Sequence, residues 1–150
     1  MNTEKLLLFG ETGSGKTKFY IDILRHQHNI GVKPEDVLMC IILPDRPTGV
    51  TKLYGLIPSE YAENDRIKIF PVNDYEDTIR ATASAHNLLM DHFNKTGKFG
   101  YAVFELLENY WVFSQDYFCR QAYGQTLGEY FAQMQSILTV SYTHLTLPTN

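Results

Sequence analysis

Eight consecutive residues, Gly10-Glu11-Thr12-Gly13-Ser14-Gly15-Lys16-Thr17, match the spacing G-x-x-x-x-G-K-[ST] at every fixed position. Residue types in this order suit the binding of a phosphate chain. Glycines let the backbone curl so that successive N–H groups point at one centre. A helix beginning near Lys16 adds unpaired N–H groups and the positive end of its dipole. Lys16 would reach the outer phosphates of a nucleoside triphosphate. The Thr17 hydroxyl would ligate a Mg²⁺ ion bridging the same phosphates. Such chemistry also calls for an acidic residue at the end of a neighbouring strand, to hold the metal through water. Three residues qualify by position. Glu105 follows the short run Tyr-Ala-Val-Phe, Asp45 follows Val37–Leu43 by two residues, and Asp91 lies inside a helical pattern that points to a solvated site. Asp is the usual residue at this place, and Glu105 carries one more methylene.

Those residues can meet only if the chain forms alternating strands and helices. Lys5–Phe9 is a short apolar run closed by Gly10, and it reads as a buried strand leading into the loop. From Lys16 to about His28, Phe19, Tyr20, Ile23 and Leu24 recur at helical spacing, and Asn29 and Gly31 end the helix. Val37–Leu43 is a second strand, stopped by Pro44, and Pro44 to Asp65 reads as a long irregular crossover. Arg66–Val72 predicts a third strand with Pro71 near its end. A helix follows from Asp74 to about Lys95, with Asn73 or Asp74 as N-cap. After a turn at Gly97–Gly100 come a fourth strand, Tyr101–Phe104, and two helices, Leu106–Tyr123 and Gln125–Leu138, broken at Gly124. Near-continuous apolar strands alternating with helices imply an α/β fold with a mostly parallel sheet covered on both faces.

Composition narrows the field. The chain has 150 residues, 44% hydrophobic and 20% charged, which is one domain's worth of ordinary globular sequence. Ten Tyr and nine Phe supply large side chains for a core. A net charge of −4 argues against a generic polyanion binder, so any nucleic-acid contact must come from a local patch. No apolar run is long enough to span a membrane, and the N-terminal residues do not form a signal peptide. Cys40 and Cys119 lack metal-ligand or redox spacing and read as reduced core thiols of an intracellular protein. His26 and His28 point in different directions on one helix, as do His86 and His92, so neither pair suits a shared metal. Trp111, Tyr110, Phe113, Tyr117 and Phe118 form an aromatic-rich helix that reads as core, with a protomer interface as the alternative.

The final residues stand apart. Val140–Thr149 contains no Asp, Glu, Lys or Arg and has no helical period. It resembles the translation of a transposon-based sequencing-library adapter, which would divide the chain into a core over 1–139 and a non-native tail over 140–150. An edge strand is the alternative, because Val, Tyr and Thr favour β structure.

Two stretches, Lys5–Thr17 and Tyr101–Arg120, carry a family resemblance. The second reads YAVFELLENYWVFSQDYFCR, with Glu105 in the acidic place, Asn109-Tyr110-Trp111 as an aromatic step and Gln115-Asp116-Tyr117-Phe118 as a later run. Together they resemble the phage and archaeal nucleotide-binding AAA-type family, whose core is a RecA-like P-loop NTPase. The resemblance implies a three-layer fold, truncated here at its C-terminal side. It also implies ATP and Mg²⁺ as cofactors, with hydrolysis served by Lys16 and Glu105. Gly10, Glu11, Thr12, Gly13, Ser14, Gly15, Lys16 and Thr17 would hold the nucleotide, and Thr17 and Glu105 the metal. The implied setting is a cytoplasmic protein of a bacterium or phage-infected cell, in DNA recombination, replication or packaging. DNA contact is left open. RecA-like sites are often completed by a neighbour's arginine, so a homo-oligomer is also implied.

Rival classes leave different marks. A DExH-type helicase needs a D-E-x-H box and an ABC ATPase an LSGGQ-like signature, and neither occurs. A Ras-type GTPase would carry N-K-x-D, also missing. A small-molecule or nucleotide kinase would use Asp45, with Arg46 and Arg66 as phosphate contacts or as ordinary solvated charges. A third class is a module that binds nucleotide without turning it over.

Overall fold

The computed structural model describes residues 6–8, 14–44 and 52–145, with 137–145 described by their backbone alone. The apolar run after Val37 forms the centre of a parallel sheet. Strand β1 (Met39–Pro44) is buried along its whole length, because neighbours cover both edges and helices cover both faces. Strand β2 (Ile67–Val72) pairs with one edge, from Met39 opposite Ile67 to Pro44 opposite Val72. Strand β3 (Tyr101–Phe104) pairs with the other, from Met39 opposite Tyr101 to Ile42 opposite Phe104. The order among the described strands is β2-β1-β3, all parallel. Pro71 is tolerated in β2 because that strand lies at an edge of the described sheet.

Alternation along β1 divides the core. Met39, Ile41 and Leu43 face helix α1 (Lys16–Asn29), through Tyr20, Ile21 and Leu24, and the short helix α2 (Ser59–Glu63), through Tyr61. Leu38, Cys40 and Ile42 face helix α3 (Tyr75–Thr96), through Ala81 and Ala85. Tyr110 and Phe113 of helix α4 (Leu107–Tyr123) pack against the same side. The chain is thus an α/β unit of three layers. Tyr61 ties two elements of the first layer together, its hydroxyl donating to the Leu24 carbonyl at 2.9 Å.

Local chemistry explains most boundaries. Asp74, not Asn73, caps α3, accepting from the Asp77 N–H at 2.7 Å, and Gly97 closes it in the left-handed region at φ 69°. Gly124, at φ 69°, ends α4. Helix α5 (Leu127–Leu145) starts two residues later than the spacing predicts. Thr126 and Glu129 form a reciprocal capping box there, with Thr126 N–H donating to Glu129 at 2.7 Å and Glu129 N–H to Thr126 Oγ1 at 3.2 Å.

Four expectations are corrected. Leu6–Leu8 are not in a strand and are exposed, Leu6 to 68%, so the buried strand read over Lys5–Phe9 does not hold for them. An apolar run becomes a strand only when it pairs, and these residues join neither β2 nor β3. In α1, the apolar stripe runs through Tyr20, Ile21 and Leu24 rather than through Phe19, which is exposed. In the crossover, Ser59–Glu63 is helical rather than irregular, held by buried Tyr61. Finally, the backbone of 140–145 continues α5, so this part is neither an edge strand nor irregular. Extending a nucleated helix costs far less than starting one. Residues 146–150 lie outside the described residues.

Two stability predictions follow from this packing. A Cβ on Gly100 would meet the Leu38 carbonyl oxygen at 2.8 Å and also the Leu89 side chain. The first of these is a backbone atom just before β1, held by the Tyr101 N–H at 2.8 Å, and cannot swing away. Gly100→Ala should therefore lower unfolding free energy by about 1–3 kcal/mol in denaturant titrations. Burial also pushes the Cys40 thiol from its ordinary 9.0 up to about 11, with nearby Lys68 opposing the shift. Burial similarly raises the Tyr61 and Tyr101 phenols. The folded chain thus binds these protons more tightly than the unfolded chain. Their stabilisation is complete below about pH 9 and is lost as pH rises through the folded values. The denaturant midpoint should be level from about pH 7 to 8 and fall by about pH 10–11.

Candidate functional site

The site lies at the carboxyl ends of the parallel strands, where open α/β sheets bind ligands. Helix α1 supplies one side of it. Gly15 is its N-cap, at φ 89°, a conformation that glycine adopts without the Cβ clash other residues suffer. Having no side chain, Gly15 cannot cap the first turn, and no acidic residue sits in that turn. The helix therefore presents its N-terminal N–H groups and dipole with no acidic residue of its own in the first turn. Lys16 Nζ lies 3.3 Å from Ser14 Oγ, so the first helical side chain bends back toward the residue before the N-cap.

Strand β3 supplies the other side. The Glu105 N–H donates to the Ile42 carbonyl at 3.1 Å, extending the β1–β3 ladder one residue past Phe104. That same carbonyl accepts the Tyr110 hydroxyl at 2.7 Å. Between these two donors, Leu106 takes a left-handed conformation, φ 54° and ψ 58°, and turns the chain into α4. A bulky residue there costs about 1–2 kcal/mol. The cost is held by the flanking hydrogen bonds, and strain of this kind gathers at functional sites.

The two sides meet at one oxygen. Thr17 Oγ1 donates to Glu105 Oε1 at 2.6 Å, across 88 residues of sequence. Tyr20 OH donates to the same Oε1, also at 2.6 Å. Burial, then the hydrogen bond to Glu105 and its charge, drive the Tyr20 phenol far above its ordinary range, while Thr17 opposes this. The shift favours Tyr20 as the proton donor of this pair. Burial and the Glu105 charge raise Tyr110 in the same way. The donor set of Thr17 and Glu105 is one hydroxyl and one carboxylate, hard oxygen ligands suited to Mg²⁺. Thr17 donates its hydroxyl hydrogen bond to Glu105, which leaves the oxygen lone pairs for a cation. Among the described residues no cluster of three or more His, Cys, Asp or Glu could hold a metal ion.

The other expected residues divide. Ser14, Gly15, Lys16, Thr17 and Glu105 come together, whereas Gly10, Glu11, Thr12, Gly13, Asp45 and Arg46 lie outside the described residues. Asp91 is exposed on α3. Arg66 stands before the first residue of β2, at the opposite end of the strands from Thr17, and lines a cavity of about 450 Å³ with Leu38 and His92. A larger cavity, about 520 Å³, lies at that same far end between Val37, Phe99 and Tyr101. Neither hollow touches the Thr17–Glu105 contact. His92 is buried, its Nε2 lying 3.3 Å from the Asp36 carbonyl, and His86 is exposed, so the two diverge. The aromatic helix is core on one side only. Tyr110 and Phe113 pack inward, but Trp111 is 66% exposed and Phe118 is exposed too. No described helix is long and apolar enough to cross a membrane.

Sequence reading missed Tyr20 as a polar partner, treating it as one more apolar helix position. The available signal was its spacing, three residues after Thr17 and so on the same helical face. A scan against protein-family models, a search of curated proteins and a search of solved structures each return no match.

Proposed function

We propose that this chain is a P-loop NTPase that binds ATP as its Mg²⁺ complex and hydrolyses it. One observation carries the reading. Thr17, the last residue of the phosphate-loop motif, touches Glu105, the acid that ends a strand 88 residues away. Three further features support it: the left-handed Gly15, the uncapped α1 N-terminus and the place of the contact at the strands' carboxyl ends. On this reading the α1 N–H groups and Lys16 bind the phosphates. Thr17 and Glu105 hold the metal, which neutralises charge on the phosphate chain. Glu105 also keeps the Thr17 hydroxyl oriented, and its charge favours a cation. ATP as the nucleotide, the RecA-like core and a role in phage DNA recombination, replication or packaging rest on the resemblance in Lys5–Thr17 and Tyr101–Arg120. The kinase reading is the weaker one, since Arg66 lies at the far end of the strands from Thr17.

Titration with Mg-ATP, followed by calorimetry or a fluorescent ATP analogue, tests the reading. Lys16→Ala should weaken binding at least about tenfold, the loss of a charge-assisted contact. Unchanged affinity would remove the phosphate loop from the function. Glu105→Gln should lower the rate of phosphate release at least about tenfold more than it lowers ATP affinity. Equal turnover in that variant would take Glu105 out of the mechanism.

A further inference from the structure

The acidic residue of this site is longer than the usual Asp, and a longer arm has one more rotor to hold still. A glutamate free to swing would carry its charge away from Thr17. The structure shows what restrains it. Tyr20 OH and Thr17 Oγ1 converge on the same oxygen, Glu105 Oε1, each at 2.6 Å. The two donors sit one helical turn apart on α1, and the Tyr20 ring is itself fixed in the core, 7% exposed, beside Ile21 and Leu24. From the other side, the Glu105 backbone is pinned to Ile42. The carboxylate is thus held at both ends of its side chain.

From this geometry we infer that Tyr20 is a positioning residue for the metal: its hydroxyl holds the Glu105 carboxylate against Thr17, offsetting the extra methylene of Glu105. This rests on the Mg-nucleotide reading and goes beyond it. Tyr20 touches neither nucleotide nor metal on this account and acts only through Glu105. The hydroxyl matters, and the ring is core packing that phenylalanine would supply equally well. Because Tyr20 and Glu105 form one unit, their effects on metal binding must be coupled.

The test is a Mg²⁺ titration of the intact chain at a fixed concentration of a fluorescent ATP analogue, alongside binding of the same analogue in EDTA. Tyr20→Phe should raise the Mg²⁺ concentration at half-saturation about tenfold, as expected for losing a hydrogen bond to a charged group. Affinity in EDTA should not change. Tyr61→Phe is the control, since it removes another buried hydroxyl that serves the same helix but lies away from the site. It should lower the melting temperature and leave the Mg²⁺ midpoint in place. In a Glu105→Gln background, Tyr20→Phe should shift the midpoint no further. An unchanged midpoint in Tyr20→Phe, or an equal shift in Tyr61→Phe, would overturn the inference and leave nucleotide binding standing. A wild-type chain that binds the analogue with no Mg²⁺ dependence would overturn the metal reading, and this inference with it. Should Tyr20→Phe not fold, Tyr20→Met, which fills the core site with a flexible apolar side chain and no hydroxyl, is titrated instead. Its Mg²⁺ midpoint should rise about tenfold, and no rise would overturn the proposal.

Discussion

Strand β1 has no face and no edge left for water. From Met39 to Pro44 every residue is buried, so its backbone groups must find partners on neighbouring strands and its side chains must be covered by helices. That requirement organises the molecule. It brings β2 and β3 to the two edges, α1 and α2 to one face, and α3 and α4 to the other. It also reaches the site directly. The Ile42 carbonyl, near the end of β1, gathers the Glu105 N–H and the Tyr110 hydroxyl. The acid is therefore located by the most deeply buried strand of the described sheet.

Helix α1 joins this core to the polar end of the sheet. Thr17, Tyr20, Ile21 and Leu24 fall at i, i+3, i+4 and i+7, a single stripe along one side of the helix. Its inner part, Ile21 and Leu24, is sealed against β1. Its outer part offers two hydroxyls to Glu105. Tyr20 belongs to both parts, with its ring in the apolar cluster and its oxygen on the carboxylate. Turning the helix about its axis would uncover Ile21 and Leu24 and break both contacts with Glu105, so packing and site geometry share one constraint.

The packing is uneven away from β1. Trp111, Phe118, Phe131 and Leu6 through Leu8 are exposed, although their residue types suit a core. For α4 the reason is periodicity. Its aromatic residues are spread around the helix, and only the stripe through Tyr110 and Phe113 meets the sheet. An aromatic count says that a helix is apolar, but the angular distribution decides how much of it can be buried.

Much of this was legible along the chain. The order of α1, the three described strands, α3 and α4 follows from apolar runs, helical spacing and local signals such as Asp74, Gly97 and Gly124, because those signals act within a few residues. The motif from Gly10 to Thr17 was legible for the same reason: its chemistry lies in consecutive residues. Other features required the assembled sheet. Leu6 to Leu8 have the composition of a strand, but strands exist only through pairing, which composition does not encode. Two acids, Asp45 and Glu105, follow apolar strand runs, and the pairing of β3 with β1 together with the seat of α1 brings Glu105 to Thr17. The left-handed turn at Leu106 has no sequence signal, since it is stabilised by hydrogen bonds to a strand about 60 residues earlier. Tyr20 shows the division most clearly. Its spacing determined which side of α1 it occupies, and only the tertiary structure decided that a carboxylate would be waiting there, because that carboxylate arrives on another strand.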